Sequence, residues 1–201
     1  MLFRSHRRWL TDFDFPSIGI PIRHNDMAIL NEKGEEVREM ERGEICIRGR
    51  TVCSGYFKRP DANEAAFQWG WFRSGDLGSF DEQGYMTLAG RLKETYRVGG
   101  EQVMPTEIEE VLTRHPDVVQ AHVVPVPDER MGEAGCAWIV LRPDAGVTPD
   151  DLMAICAENL ARFKVPRYVL EIAAEELPTT PSGRARKFLL SERAIDRLGL
   201  R

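Results

Sequence analysis

The sequence predicts an α+β protein in two parts: a short-stranded antiparallel β subdomain over residues 1–90, then a small α+β domain over residues 91–201. Three observations predict it. Short apolar runs broken by Gly, Asn and Asp turns fill the first half. A charged run closed by Gly99-Gly100 interrupts the chain after Gly90. From there to the end, helix-start signals alternate with apolar strands.

Residues 1–15 show no clear periodicity and look like the ragged start of a piece cut from a longer chain. Ile18 to Ile22 and Met27 to Leu30 read as strands around a turn at His24-Asn25-Asp26. A second turn at Asn31 to Glu35 and the break at Gly43 lead to the alternating strand Glu44 to Arg48. Such spacing suggests a small antiparallel barrel or sheet. Gly55 to Phe67 is a loop running into a short helix that Pro60 and Asp61 start. Gly70 to Gly78 follows, with Asp76 at the end of a strand. A hairpin then turns at Asp81 to Gly84, between Ser79-Phe80 and Tyr85 to Leu88.

In the α+β part, Thr95 to Val98 is a strand ending at the paired glycines. Pro105 suits a helix start, and Thr106-x-x-Glu109 has the spacing of a capping box. Ile108, Val111 and Leu112 make that helix's apolar face, and His115-Pro116 stops it. Val118 to Val124 and Cys136 to Leu141 read as paired strands joined by the polar Asp128 to Glu133. Thr148-Pro149-Asp150-Asp151 starts a second helix whose face is Leu152, Ile155, Cys156 and Leu160. A strand over Tyr168 to Ile172 and a helix after Arg186 close a layered α+β arrangement.

Composition narrows function. Of 201 residues, 42% are hydrophobic and 29% charged, an ordinary globular balance. A net charge of -5 argues against a general nucleic-acid or membrane surface. No apolar run is long enough to span a bilayer, and the basic stretch Met1 to Leu10 lacks the apolar core of a secretory signal. The cysteines at 46, 53, 136 and 156 lack metal-ligand spacing, so no metal site is expected, and they read as buried free thiols in a reducing cytoplasm. His115 and His122 have no partner motif and read as structural or surface residues.

Two stretches carry chemistry. An ionised carboxylate can accept hydrogen bonds from both hydroxyls of a vicinal diol, so Asp76 is either a ribose ligand or a turn aspartate. Gly99-Gly100 is either a tight turn or backbone that a ligand approaches closely.

Four ordered motifs, with a matching run ahead of them, resemble the ATP-dependent, AMP-forming acyl-CoA synthetases of the adenylate-forming superfamily, which includes luciferases and peptide-synthetase adenylation domains. They are Gly55-Tyr56, Gly70-Trp71-Phe72-Arg73-Ser74-Gly75-Asp76-Leu77-Gly78, the run Gly90 to Glu109, Phe163-Lys164-Val165-Pro166-Arg167, and Leu177 to Phe188. The resemblance covers residues 15–190. It implies that residues 1–90 end a large AMP-binding domain and that 91–201 are its mobile C-terminal lid. Asp76 would hold the ribose hydroxyls of ATP or AMP, and Arg91 would contact the nucleotide. Lys93 would be the hinge that swings the lid between two catalytic poses. Gly99, Gly100 and Glu101 would line the tunnel for the CoA thiol, and basic side chains around Phe163 to Arg167 could meet CoA phosphates.

The last motif departs from the family. A lysine normally follows its Ser-Gly and reaches the carboxylate and α-phosphate during adenylation, whereas this chain has Arg184 there. Arg and Lys are not interchangeable at such a site. Lys187, three residues on, is a second candidate. The family's phosphate loop ending in Pro-Lys and its Tyr-Gly-x-Thr-Glu motif are not in this sequence. The resemblance therefore implies a C-terminal piece, inactive alone, of a cytoplasmic ligase of fatty acid metabolism. The full enzyme would join a small carboxylic acid to CoA using ATP and Mg²⁺, with the metal held mainly outside this piece. A homodimer is left open. The rivals are an acyl-adenylate ligase that loads a carrier protein and a degenerate, non-catalytic lid that only binds.

Overall fold

The computed structural model describes residues 3–4 and 17–200, so the readings of Met1 to Leu10 and of residues 1–15 lie outside it apart from one short strand. The chain divides into two compact units, Met1–Lys93 and Glu94–Arg201.

The first unit holds strands β1 (Phe3–Arg4), β2 (Ser17–Pro21), β3 (Asn25–Leu30) and β4 (Gly43–Gly49), helix α1 (Pro60–Ala66), and strands β5 (Phe67–Gln68), β6 (Trp71–Phe80) and β7 (Met86–Arg91). They form one seven-stranded sheet in the order β1-β2-β7-β6-β4-β3, with β5 added to β6. Every pairing is antiparallel. The alternation along β3 and β4 buries Ile29, Ile45 and Ile47 against Met86 on one face, and Ala28, Leu30 and Cys46 on the other. Asn31 closes the β3 exit because its side-chain oxygen accepts the Lys33 and Glu35 amides at 2.9 and 3.0 Å.

One expectation changes here. Asp76 does not end a strand: β6 runs unbroken for 10 residues and Asp76 lies within it. Gly75 instead lies where β6 carries extra residues against β4, between the pairs Glu44–Leu77 and Cys46–Arg73. Gly78 has no room for a side chain, since an added Cβ would sit 2.5 Å from the Thr87 carbonyl oxygen.

The second unit contains β8 (Tyr96–Val98), β9 (Glu101–Val103), α2 (Pro105–Thr113), β10 (Val118–Asp128), β11 (Gly132–Leu141), α3 (Pro149–Asn159), β12 (Tyr168–Glu171) and α4 (Lys187–Leu198). Its five-stranded sheet runs β10-β11-β8-β9. The far edge of β11 is shared: antiparallel β8 meets it at Gly132, and parallel β12 pairs with Cys136 to Ile139. The sheet is therefore mixed.

Side-chain alternation sends β10 and β11 to two cores. Val123, Ala137 and Ile139 face Ile108 and Leu112 of α2 and Leu152 and Cys156 of α3. Val124, Val126, Cys136 and Trp138 face Leu190 and Ala194 of α4. Each fully buried side chain of Leu or Ile size contributes about 1.5–3 kcal/mol. The Trp138 indole N–H donates to the Leu190 carbonyl at 3.0 Å, which fixes α4 across the sheet.

The two helix-start signals fare differently. Thr148 and Asp151 form a complete capping box at the start of α3. Thr106 and Glu109 do not: Met104 is the N-cap of α2 and provides no side-chain cap. The Glu109 carboxylate instead accepts the Val123 amide at 2.7 Å, from the outer edge of β10. Further along that edge, the Ser191 hydroxyl donates to the Pro125 carbonyl at 2.6 Å.

The expected burial of all four thiols holds for Cys46, Cys136 and Cys156, but Cys53 is exposed in the loop after β4.

Candidate functional site

In the first unit, the register of β6 and β7 sets Asp76 opposite Arg91. Arg91 Nε lies 3.1 Å from Asp76 Oδ1, with the side chains 54% and 31% exposed. A pair this open to water is worth well under about 1 kcal/mol. The remaining acceptor positions of the carboxylate are available to a ligand. Just before it, Gly75 has φ 75°, where a side chain would be strained. Its amide donates to Glu44 Oε1 at 2.9 Å, and Arg73 Nη2 lies 2.6 Å from Glu44 Oε2. The Ser74 hydroxyl accepts the Asp76 amide at 3.0 Å. Glu44 thus shapes the bend that presents Asp76. Sequence reasoning missed it, although an acid opening an otherwise buried strand was a signal. Lys93 is exposed in the 3₁₀ turn Leu92–Glu94, the last residue of the first unit.

In the second unit, Gly99 and Gly100 have φ 59° and 91°, as a two-residue turn between β8 and β9 requires. The Gly99 amide donates to the Met131 carbonyl at 2.9 Å, and a Cβ on Gly99 would lie 2.5 Å from Met131 Cε. Glu101 follows, exposed, at the start of β9. A cleft of about 1070 Å³ is lined by Val98, Arg130, Met131, Arg162, Phe163 and Arg167 among others. Arg167 pairs with the buried carboxylate of Asp128, and Lys164 pairs with Glu107 at 2.5 Å.

Arg184 is exposed at the end of a tight loop. The Thr180 amide donates to the Arg184 carbonyl at 2.8 Å, and the Arg184 amide donates to Thr180 Oγ1 at 3.1 Å. Gly183 takes φ 79°, and a bridge joins Thr179 to Ala185. The loop is therefore held before any ligand arrives. Lys187 stands apart from this display. Its ammonium lies 2.9 Å from Glu94 Oε2 and 2.8 Å from Glu109 Oε1. Burial by itself would lower its pKa, but Glu109 and Glu94 together hold it above the ordinary lysine value. Glu94 was not singled out from sequence, and Glu109 was read only as a capping residue, because the partner Lys187 lies far along the chain.

Among the described residues, no three His, Cys, Asp or Glu side chains cluster to hold a metal ion. Burial pushes the Cys46 and Cys156 thiols up to about 11 and Cys136 to about 12. A raised pKa leaves less thiolate at a given pH. Iodoacetamide at pH 8 on the folded chain is therefore expected to label Cys53 and spare the other three by mass spectrometry. Comparable labelling of Cys136 would contradict its burial.

Comparison with known proteins decides the family. The AMP-binding enzyme C-terminal domain matches residues 107–184, and the AMP-binding enzyme family matches residues 5–57. The chain belongs to the adenylate-forming AMP-binding enzyme family. Oxalate–CoA ligase of Arabidopsis thaliana is 43% identical over 181 residues, covering 90% of this chain and 35% of that protein. ATP-bound MatB from Rhodopseudomonas palustris superposes with TM-score 0.84 at 31% identity, over 90% of this chain and 36% of that one. The o-succinylbenzoate CoA synthetase of Bacillus subtilis, solved with its acyl-adenylate intermediate, gives 0.79 at 34% identity, over 87% and 35%. This AMP-binding enzyme chain spans about a third of the length of those relatives. It aligns with their C-terminal region, lid included, and the α+β fold, antiparallel in the first unit, agrees with the expectation from sequence. Structures of family members hold ATP and an acyl-adenylate.

Proposed function

We propose that the chain is the C-terminal part of an AMP-forming acyl-CoA synthetase that converts a carboxylic acid to an acyl-adenylate and passes it to CoA. The observation that carries this is the Asp76–Arg91 arrangement. A carboxylate with open acceptor sites and a guanidinium share adjacent strand positions. That suits a ribose diol next to phosphate.

In this reading Asp76 holds the ribose hydroxyls and Arg91 contacts the nucleotide. Lys93 is the hinge, and the chain around it passes from one compact unit to the next. Gly99, Gly100 and Glu101 form backbone past which the thiol travels. Arg130 and Arg162 in the neighbouring cleft offer positive charge to CoA phosphates. Arg184 takes the place of the family's adenylation lysine. Lys187 serves poorly as a substitute, because two carboxylates hold its ammonium. Mg²⁺ would rest mainly on residues outside this chain.

The test uses a full-length enzyme that carries this chain as its C-terminal third. AMP release should depend on both a carboxylic acid and CoA, and Asp76→Ala should raise KM for ATP by about tenfold, the scale of one charge-assisted hydrogen bond. The 201-residue chain alone should release no AMP. An unchanged KM in Asp76→Ala would sink the nucleotide assignment. AMP release with a phosphopantetheinyl carrier, and none with CoA, would favour the carrier-loading ligase.

A further inference from the structure

We infer that Lys187 is a positioning residue that clamps Glu94 into the second unit, so that any swing of the chain is confined to the residues before it. The inference rests on the proposal that Lys93 is the hinge.

Three segments of the second unit meet at Lys187. Glu94 ends the 3₁₀ turn Leu92–Glu94 and is the first residue of the second unit. Glu109 lies in α2, one turn past its start. Lys187 opens α4. One ammonium therefore ties the entry of the unit to two of its helices. Lysine has three donors, and two of them are used here at 2.9 and 2.8 Å. The Lys187 side chain is 19% exposed and Glu109 17%, so two of the three groups are largely shielded from water. Bonds between opposite charges so shielded are stronger and less screened than surface pairs.

Glu109 is held from a second side, because its Oε1 also accepts the Val123 amide of β10 at 2.7 Å. Its carboxylate cannot follow Lys187 elsewhere without uncovering that amide. Lys187 is fixed in turn by α4, whose Leu190 carbonyl takes the Trp138 indole. The end of the chain's entry is thus bolted to a frame made of α2, β10 and α4. Glu94 itself is 36% exposed at its side chain and is the outermost member. It is the one that can be released without opening a core.

A hinge works best when only a few residues absorb the torsion and both flanks stay rigid. Backbone rotation at Lys93 displaces the whole second unit only if Glu94 moves with that unit. Without the clamp, the rotation would be shared among residues 92–96, and the two poses would blur. Lys187 follows the Arg184 loop directly, so the same clamp also sets where that loop ends.

Amide hydrogen exchange by NMR on the 201-residue chain tests this at residue level. In Glu94→Gln, exchange at Glu94 and Thr95 is expected to rise about tenfold, a local opening, while the core amides of Leu112 and Leu190 stay unchanged. Lys187→Met should release the same amides, and Lys187→Arg, which keeps the charge, should restore most of the protection. In the full-length enzyme, Glu94→Gln should lower kcat several-fold with KM for ATP held within twofold, a split that a general loss of fold would not give. Unchanged exchange at Glu94 and Thr95 in both Glu94→Gln and Lys187→Met, with the fold intact, would overturn the clamp. Failure of the hinge reading looks different: Lys93 in the unaltered chain would be as protected as Tyr96, whatever the variants do.

Discussion

Changing Arg184 to lysine is expected to raise ATP–pyrophosphate exchange in the full-length enzyme by about two orders of magnitude, the scale of restoring one positioned charge at a transition state. The loop that carries residue 184 is preset by Thr180, by the bridge from Thr179 to Ala185 and by the left-handed Gly183. A substitution there changes the head group and leaves the backbone in place. The guanidinium is planar and wide, whereas the ammonium is compact and fits between a carboxylate and an α-phosphate. Lys187 does not compensate, since it is engaged by Glu94 and Glu109. Small misplacements of such a group cost much rate. Equal and robust exchange in both proteins would mean that arginine suffices at this position. Silence in both, with the fold confirmed, would favour a lid that binds without chemistry.

The second large effect concerns stability as well as binding. Glu44→Ala is expected to destabilise the first unit by about 2 kcal/mol, because it strands two donors at once. The Gly75 amide loses its acceptor and Arg73 loses its carboxylate. Arg73 keeps Gln68 Oε1 at 2.9 Å and the Trp69 ring at 5.4 Å, which limits the damage. Glu44 is only 7% exposed, so water cannot simply replace it. Arg91→Ala is the contrast, since its partner faces solvent, and it should cost below about 0.5 kcal/mol. Urea unfolding of the two variants reads this difference directly. The bend at Gly75 also aims Asp76, so Glu44→Ala should weaken ATP binding several-fold. A loss of stability no larger than that of Arg91→Ala would refute the role given to Glu44.

What could be read from sequence depended on how local its cause was. The start of α3 was legible because Thr148 and Asp151 satisfy each other within one turn. The same pattern at Thr106 and Glu109 misled, since Glu109 finds better partners in Val123 and Lys187, which only tertiary packing brings near. The positions of β3, β4 and β10 were legible because each is a short apolar run bounded by turn residues, and all three are buried on both faces. The length of β6 was hidden by Gly75, which marks a bulge against β4 as readily as a turn. Asp76 and Arg91 were named through a resemblance, but their facing positions come from strand register, which has no signature in either residue. Glu94 was invisible for a similar reason, and Glu44 showed only as an acid opening an apolar strand: a lone acid gains its role only when its partner is known.

The outer edge of β10 has one more consequence. This strand of 11 residues lies at the border of its sheet. Exposed borders of that length tend to recruit foreign strands. Here Val123 gives its amide to Glu109, Pro125 and Pro127 have none to give, and the Pro125 carbonyl is taken by Ser191. From Val123 to Pro127 this border therefore offers an incoming strand few groups to pair with, and strand addition along that stretch of β10 is disfavoured by the same residues that fasten the helices.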